Sequence, residues 1–181
     1  MTHLDANANT IGRTLWATKK ETDGNIYVII DTARAPLIYP KLAESNNRKA
    51  CLLMGEQARK LAAVAPYLVQ LKENDLLSQW LLNQGWKKSW GVFAESAAPF
   101  VQLRNHVRSF YRVTDDTGKQ LFFRYFDPRV LRVFFPTCDP QQLCNMFGPV
   151  RRYILESETN NELIEYTVTD QWNLVQNSIQ L

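Results

Sequence analysis

The run Phe122-Phe123-Arg124-Tyr125-Phe126-Asp127-Pro128-Arg129-Val130-Leu131 limits the possible folds of this chain more than any other stretch. Alternation predicts a strand over residues 121–126, with Leu121, Phe123 and Tyr125 on one side and Phe122, Arg124 and Phe126 on the other. Both sides are mainly large and apolar, so the strand is expected to be central and covered on both faces. Asp127 stands where a helix N-cap belongs, and Pro128 where the first helical residue tolerates a missing N–H. Arg124, set between phenylalanines, must meet a carboxylate or backbone carbonyls. As a buried pair partner, its removal is expected to cost roughly 3 kcal/mol.

The remaining sequence fits one α/β or α+β domain with a mixed sheet and flanking helices, spanning residues 1–181. Continuous apolar runs predict buried strands at 26–30, 51–55 and 67–71, with a fourth strand at 90–96. Helices are expected over residues 9–20, from Pro36 to Asn46-Asn47, from Asp75 to Gly85, and from Pro99 onward. In the last of these Phe100, Leu103, Val107, Phe110 and Tyr111 turn inward beside Arg104, Arg108 and Arg112. A loop or short helix fits residues 56–63, and Asp115-Asp116-Thr117-Gly118 marks a turn. Asp127-Pro128 and Asp139-Pro140 each open a helix. Gln142 sits at the reciprocal capping-box position and Gly148-Pro149 ends the second helix. Residues 152–156 and 163–169 read as a hairpin. Asp170 is then expected to cap a C-terminal helix carrying Trp172, Val175 and Ile179.

Composition excludes several classes. Hydrophobic residues make up 45% and charged residues 22%, which is ordinary for a globular domain. The net charge of +3 is too weak to indicate a nucleic-acid partner without a concentrated patch. Cys51, Cys138 and Cys144 have no disulfide-framework spacing, which suits a reducing cytoplasm. Neither a secretory leader nor an apolar run of the ~20 residues that a membrane helix needs is visible.

Two chemical readings can be set against plainer ones. Asp31, Glu95 and Asp127 end predicted strands, where carboxylates could hold Mg2+ for phosphoester chemistry. The second acid that usually stands within two residues is missing, so Asp31 and Asp127 read better as caps, and Glu95 as the partner of Arg124 or a helix arginine. Arg104, Arg108, Arg112, Arg124, Arg129 and Arg132 could form a phosphate- or nucleic-acid-binding surface. A helical arginine row is more simply a solvated rim. His106 lies among arginines with no glycine-rich elbow near any cysteine, and Cys138 and Cys144 read as packing residues rather than zinc ligands. No catalytic, metal or cofactor site is expected. The aromatic excess of five Trp, seven Tyr and nine Phe points instead to a protein-binding surface, because Trp and Arg anchor interfaces. Trp86, Trp172, Arg104, Arg108 and Arg129 are its expected residues; Trp80 and Trp90 add to the excess.

Six blocks in order carry a resemblance: residues 37–42, Ala65-Pro66-Tyr67-Leu68-Val69, Trp80-Leu81, Leu103 with His106-Val107-Arg108, the run Phe123–Leu131, and Phe147-Gly148-Pro149-Val150. From about Tyr27 to Val150 the chain resembles the bacterial effector-chaperone, or adaptor, domain of type VI secretion. The resemblance implies a cytoplasmic, non-enzymatic protein without cofactor. It would bind a toxic effector and help load it onto the valine–glycine-repeat spike protein, with no nucleic acid or membrane as partner. Carried over by position, Pro66, Tyr67, Arg124, Tyr125, Asp127, Pro128 and Arg129 are the family signature. The residue chemistry reads them as mainly structural, with Arg129 exposed. The chain departs from the family at Gly91-Val92-Phe93, preceded by Lys87 and Lys88. Longer relatives carry more C-terminal sequence, so the hairpin and the Trp172 segment are expected to help select the client.

Overall fold

The computed structural model describes residues 6–17, 23–114, 117–159 and 161–181. Residues 18–20 of the first expected helix and Asp115-Asp116 of the expected turn lie outside them. The described helices are α1 (Ala6–Trp16), α2 (Ile38–Glu44), α3 (Gly55–Lys60), α4 (Leu76–Gly85), α5 (Phe100–Ser109), α6 (Pro128–Phe134) and α7 (Pro140–Phe147). The described strands are β1 (Asn25–Asp31), β2 (Lys49–Cys51), β3 (Pro66–Gln70), β4 (Gly91–Ser96), β5 (Arg112–Thr114), β6 (Gln120–Phe122), β7 (Arg152–Glu156), β8 (Glu162–Val168) and β9 (Leu174–Gln180).

Strand β1 is central because Ile26 to Ile30 are apolar on both sides, and all five are buried. Seven strands order as β2-β3-β1-β4-β7-β8-β9, while β5 and β6 form a separate ribbon. The class is α+β. Every neighbouring pair in the sheet is antiparallel, where a mixed sheet was expected. The reason lies in the interleaving. Helix α2 links β1 to the parallel β2, and α4 links β3 to the parallel β4, but in each case an antiparallel strand (β3 or β1) is inserted between the two. Strands and helices do alternate, yet no parallel pair touches.

Apolar side chains cover both faces of the sheet. Ile26, Val28 and Ile30 point to a core completed by Ile11 and Leu15 of α1, Leu42 of α2 and Leu81 of α4. Tyr27 and Ile29 point the other way, to Leu103 of α5, Leu131 of α6 and Phe147 of α7. The expected caps are present. Asp75 accepts from Ser78 N at 2.6 Å, and Asp127 from Arg129 N at 3.0 Å. Asp139 and Gln142 form the reciprocal box on α7. Gly148 closes α7 at φ +45°, where any Cβ would collide with the His106 ring.

Three local expectations are overturned. Residues 121–126 are not a central strand: β6 stops at Phe122, is exposed, and pairs only with β5. Tyr125 and Phe126 are buried as a turn leading into α6, so only the end of the aromatic run enters the core, and it does so without joining the sheet. A short apolar run does not by itself fix conformation. The C-terminal segment is strand β9, not a helix. Trp172 adopts φ +60° in the β8–β9 turn, and the open side of β8 offers a ladder to the β-branched Val175 and Ile179. The second strand lies at Lys49–Cys51, upstream of the expected 51–55, because Leu52 and Leu53 are buried in bends that follow it.

One buried cation ties the layers together. Arg152 of β7 donates to Glu95 of β4 at 2.5 Å and to Glu165 of β8 at 2.6 Å. It also donates to the Leu15 carbonyl at 3.1 Å, near the end of α1. Glu95 therefore neutralises Arg152 rather than Arg124 or a helix arginine. Truncating one member of a buried ion group leaves the others uncompensated. Arg152→Ala is expected to lower unfolding stability by about 3–5 kcal/mol, measured by urea denaturation.

Candidate protein-docking site

The chain leaves α5 after Ser109, passes Tyr111, runs out along β5, returns along β6, and enters a locked turn. That turn carries most of the signature. The Tyr125 hydroxyl donates to the Val107 carbonyl at 2.6 Å with its ring wholly buried against Phe110, Phe123 and Phe126. Arg124 donates to Asp31 at 2.7 Å. Asp127 caps α6 and grips the Arg129 guanidinium with both oxygens, at 2.9 and 2.6 Å. Burial works to raise the Asp127 pKa, but the hydrogen bonds and charge of Arg129 outweigh it and hold the carboxyl below its usual range. Pro66 and Tyr67 sit on β3, where Tyr67 donates to the Ala62 carbonyl at 3.0 Å. These signature residues build the scaffold.

What the scaffold presents is apolar. Phe122 is 61% exposed although its ring lies 5.2 Å from Tyr111. Leu121 and Val113, paired across the ribbon, are also exposed. Beside the ribbon a groove of about 490 Å³ is lined by Tyr111, Arg108 and Arg112 on one side and Met54, Gly55 and Gln57 on the other. Arg112 closes one point by donating to Gln57 at 2.9 Å, and Arg108 ties α5 to the Cys51 carbonyl at 2.7 Å. Met54 is 66% exposed on the far rim, followed by Leu61 and Val64. Exposed apolar side chains of this size are a feature of protein interaction surfaces, and Met54 among them lines the groove.

The residues expected to bind a partner are distributed differently. Trp86 packs partly buried on the core beneath α4, and Trp172 partly buried on the opposite core. Trp90 is buried and Trp80 stacks on it at 5.2 Å, so the tryptophan surplus is mainly core. Arg104 is half-buried on α5 and donates to its neighbour Asn105 at 3.1 Å. Arg108 alone of the five lines the groove, and Arg129 is half exposed but held by Asp127. The sequence reading did not single out Phe122, Met54 or Leu121 as exposed. For Leu121 and Phe122 the signal was a short apolar stretch after a turn marked Asp-Asp-Thr-Gly, too short to belong to a sheet.

The three carboxylates do not converge. Because β1 and β4 are antiparallel, Glu95 lies opposite Ile26, five residues from Asp31, or about 17 Å along the strand. Asp31 caps the turn after β1 by accepting from Ala33 N at 3.0 Å. Among the described residues no group of His, Cys, Asp and Glu forms a cluster able to hold a metal ion. His106 is engaged by the Met146 carbonyl at 3.1 Å, and burial pushes the Cys138 thiol up to about 11. No described helix is long and apolar enough to cross a membrane.

The chain is thus an α+β domain whose signature turn carries an exposed two-stranded ribbon. Residues 26–145, about two thirds of the chain, match the family described as a domain of unknown function, DUF4123, and the chain belongs to that family. No curated protein and no solved structure matches it.

Two measurements probe this region. Arg124 is half exposed while Asp31 is buried, so the pair lies between a surface bridge and a buried one. Arg124→Ala is expected to cost about 1–2 kcal/mol in chemical denaturation, less than burial on both sides would imply. Burial lowers the His106 pKa, against the pull of its bonds to Met146 and Phe147. The unfolded chain therefore takes up a proton before the folded one. Stability is full above the unfolded histidine value of about 6.5 and falls as pH drops from there toward the lower folded value. Melting curves across this range should show that slope, and His106→Gln should flatten it.

Proposed function

We propose that this protein is a non-enzymatic chaperone or adaptor that binds a type VI secretion effector and helps load it onto the valine–glycine-repeat spike protein. The observation that carries the reading is the apolar ribbon standing outside the sheet beside an open groove. Phe122, Leu121 and Met54 remain in water while similar side chains fill two complete cores. A client segment laid against them would remove that surface from water, gaining about 25 cal/mol for each Å² of apolar area covered. Arg108 and Arg112 at the groove would orient the client more than hold it. The resemblance of the signature blocks to effector chaperones supports the same reading. So do the positive roles of Asp31, Glu95 and Asp127, which are engaged in caps and ion pairs. The stiff turn beneath the ribbon limits the conformational entropy lost on binding, which favours a preformed docking site.

The test is co-expression of the tagged protein with the proteins encoded beside its gene, followed by gel filtration. A stoichiometric complex with a toxin-like neighbour, or a ternary complex with a spike protein, is expected. Phe122→Asp together with Met54→Asp should weaken the complex at least tenfold while leaving the melting temperature within a few degrees, since both side chains are exposed. Elution free of any neighbouring gene product, or undiminished capture by the double variant, would count against the reading.

A further inference from the structure

The two edges of the sheet are built differently. Strand β2 has three residues, includes Lys49, and is held at Cys51 by Arg108. Short length and lysine are common protections against edge pairing. Strand β9 has neither. It runs for seven residues, Leu174-Val175-Gln176-Asn177-Ser178-Ile179-Gln180, with no charge, no proline and no break in its register with β8. An antiparallel edge strand turns the N–H and C=O of every second residue away from its neighbour. Among the described residues no hydrogen bond reaches β9 on that outer side. Residues 175–178 are exposed, so no described helix overhangs the edge.

We propose that β9 pairs with β9 of a second copy of this chain, antiparallel about Asn177, to form one continuous sheet across a two-fold axis. The strand's own sequence argues for that occupant. Centred on Asn177, Val175 stands opposite Ile179 of the other copy, and the symmetry repeats the pair. Gln176 stands opposite Ser178, and Asn177 faces its own copy. The β-branched residues thus meet each other, which suits cross-strand packing, and no like charges are opposed. A two-fold axis requires such a self-complementary patch. The edge lies at the opposite end of the sheet from β2 and its groove, six strand spacings or about 29 Å away. Self-pairing therefore leaves the docking groove open, and the inference does not rest on the chaperone reading.

Charge substitution at Gln176 and Ser178 tests the register, because both side chains are exposed. Sedimentation of the parent protein should show a concentration-dependent dimer. Gln176→Lys with Ser178→Lys places like charges opposite each other, as does Gln176→Glu with Ser178→Glu, so each double variant alone should be monomeric. Mixing the two should restore a dimer containing one of each. A parent that stays monomeric into the millimolar range, a lysine variant that dimerises like the parent, or a mixture that fails to associate would overturn the proposal. A measurement without variants is amide hydrogen exchange. Protection of β9 should rise with protein concentration, while that of β2 should not. Protection of β9 only when a co-expressed client is present would assign the edge to the client and overturn self-pairing.

Discussion

The Arg152 guanidinium is the interaction on which the layers depend. It joins three strands through Glu95 and Glu165, and it occupies carbonyls near the end of α1 that would otherwise need water. A cation in that position would be prohibitive alone; two carboxylates and backbone oxygens make it stable. The geometry is also selective. A slip of one residue between β4 and β7 would carry Arg152 or Glu95 to the wrong face, so the buried charge adds a penalty for misregister to the apolar pattern of the strands.

The signature turn solves a different problem. An apolar ribbon of three residues per strand cannot be stable by itself. It is held at its base by Tyr125 plugged beneath α5, by Arg124 on Asp31, and by the Phe123 N–H on the Tyr111 carbonyl at 3.1 Å. These contacts fix the position of neighbours that face outward.

Where local chemistry alone decides the outcome, the sequence is readable. Asp75, Asp127 and Asp139 cap helices because a short carboxylate before helix-forming residues has a backbone N–H within reach. The buried runs in β1, β3 and β4 likewise follow from composition. Reading failed where the partner was distant. Trp172, Val175 and Ile179 have helical spacing, but the hydrogen bonds offered by β8 outweighed it. Phe122 looked like core because nothing local shows that its strand has no third neighbour. Asp31 was recognised as a cap and Arg124 as needing a carboxylate or backbone carbonyls, yet their pairing across 93 residues was not visible from either side. The tryptophans misled for a related reason: a large side chain is compatible with a core or an interface, and only packing separates the two.

The interleaved order of strands has a consequence for the growing chain. Strand β1 leaves the ribosome first among the described strands, yet it sits between β3 and β4, which follow it by tens of residues. At about 5–20 residues per second, its five consecutive apolar residues wait several seconds with both edges unpaired. Asp31 directly after the run, and Asp23 shortly before it, place a charge on each side of the segment during that interval. Charged flanks of this kind hinder association between nascent strands. The carboxylate that later anchors the signature turn thus also guards β1 while the chain is being made.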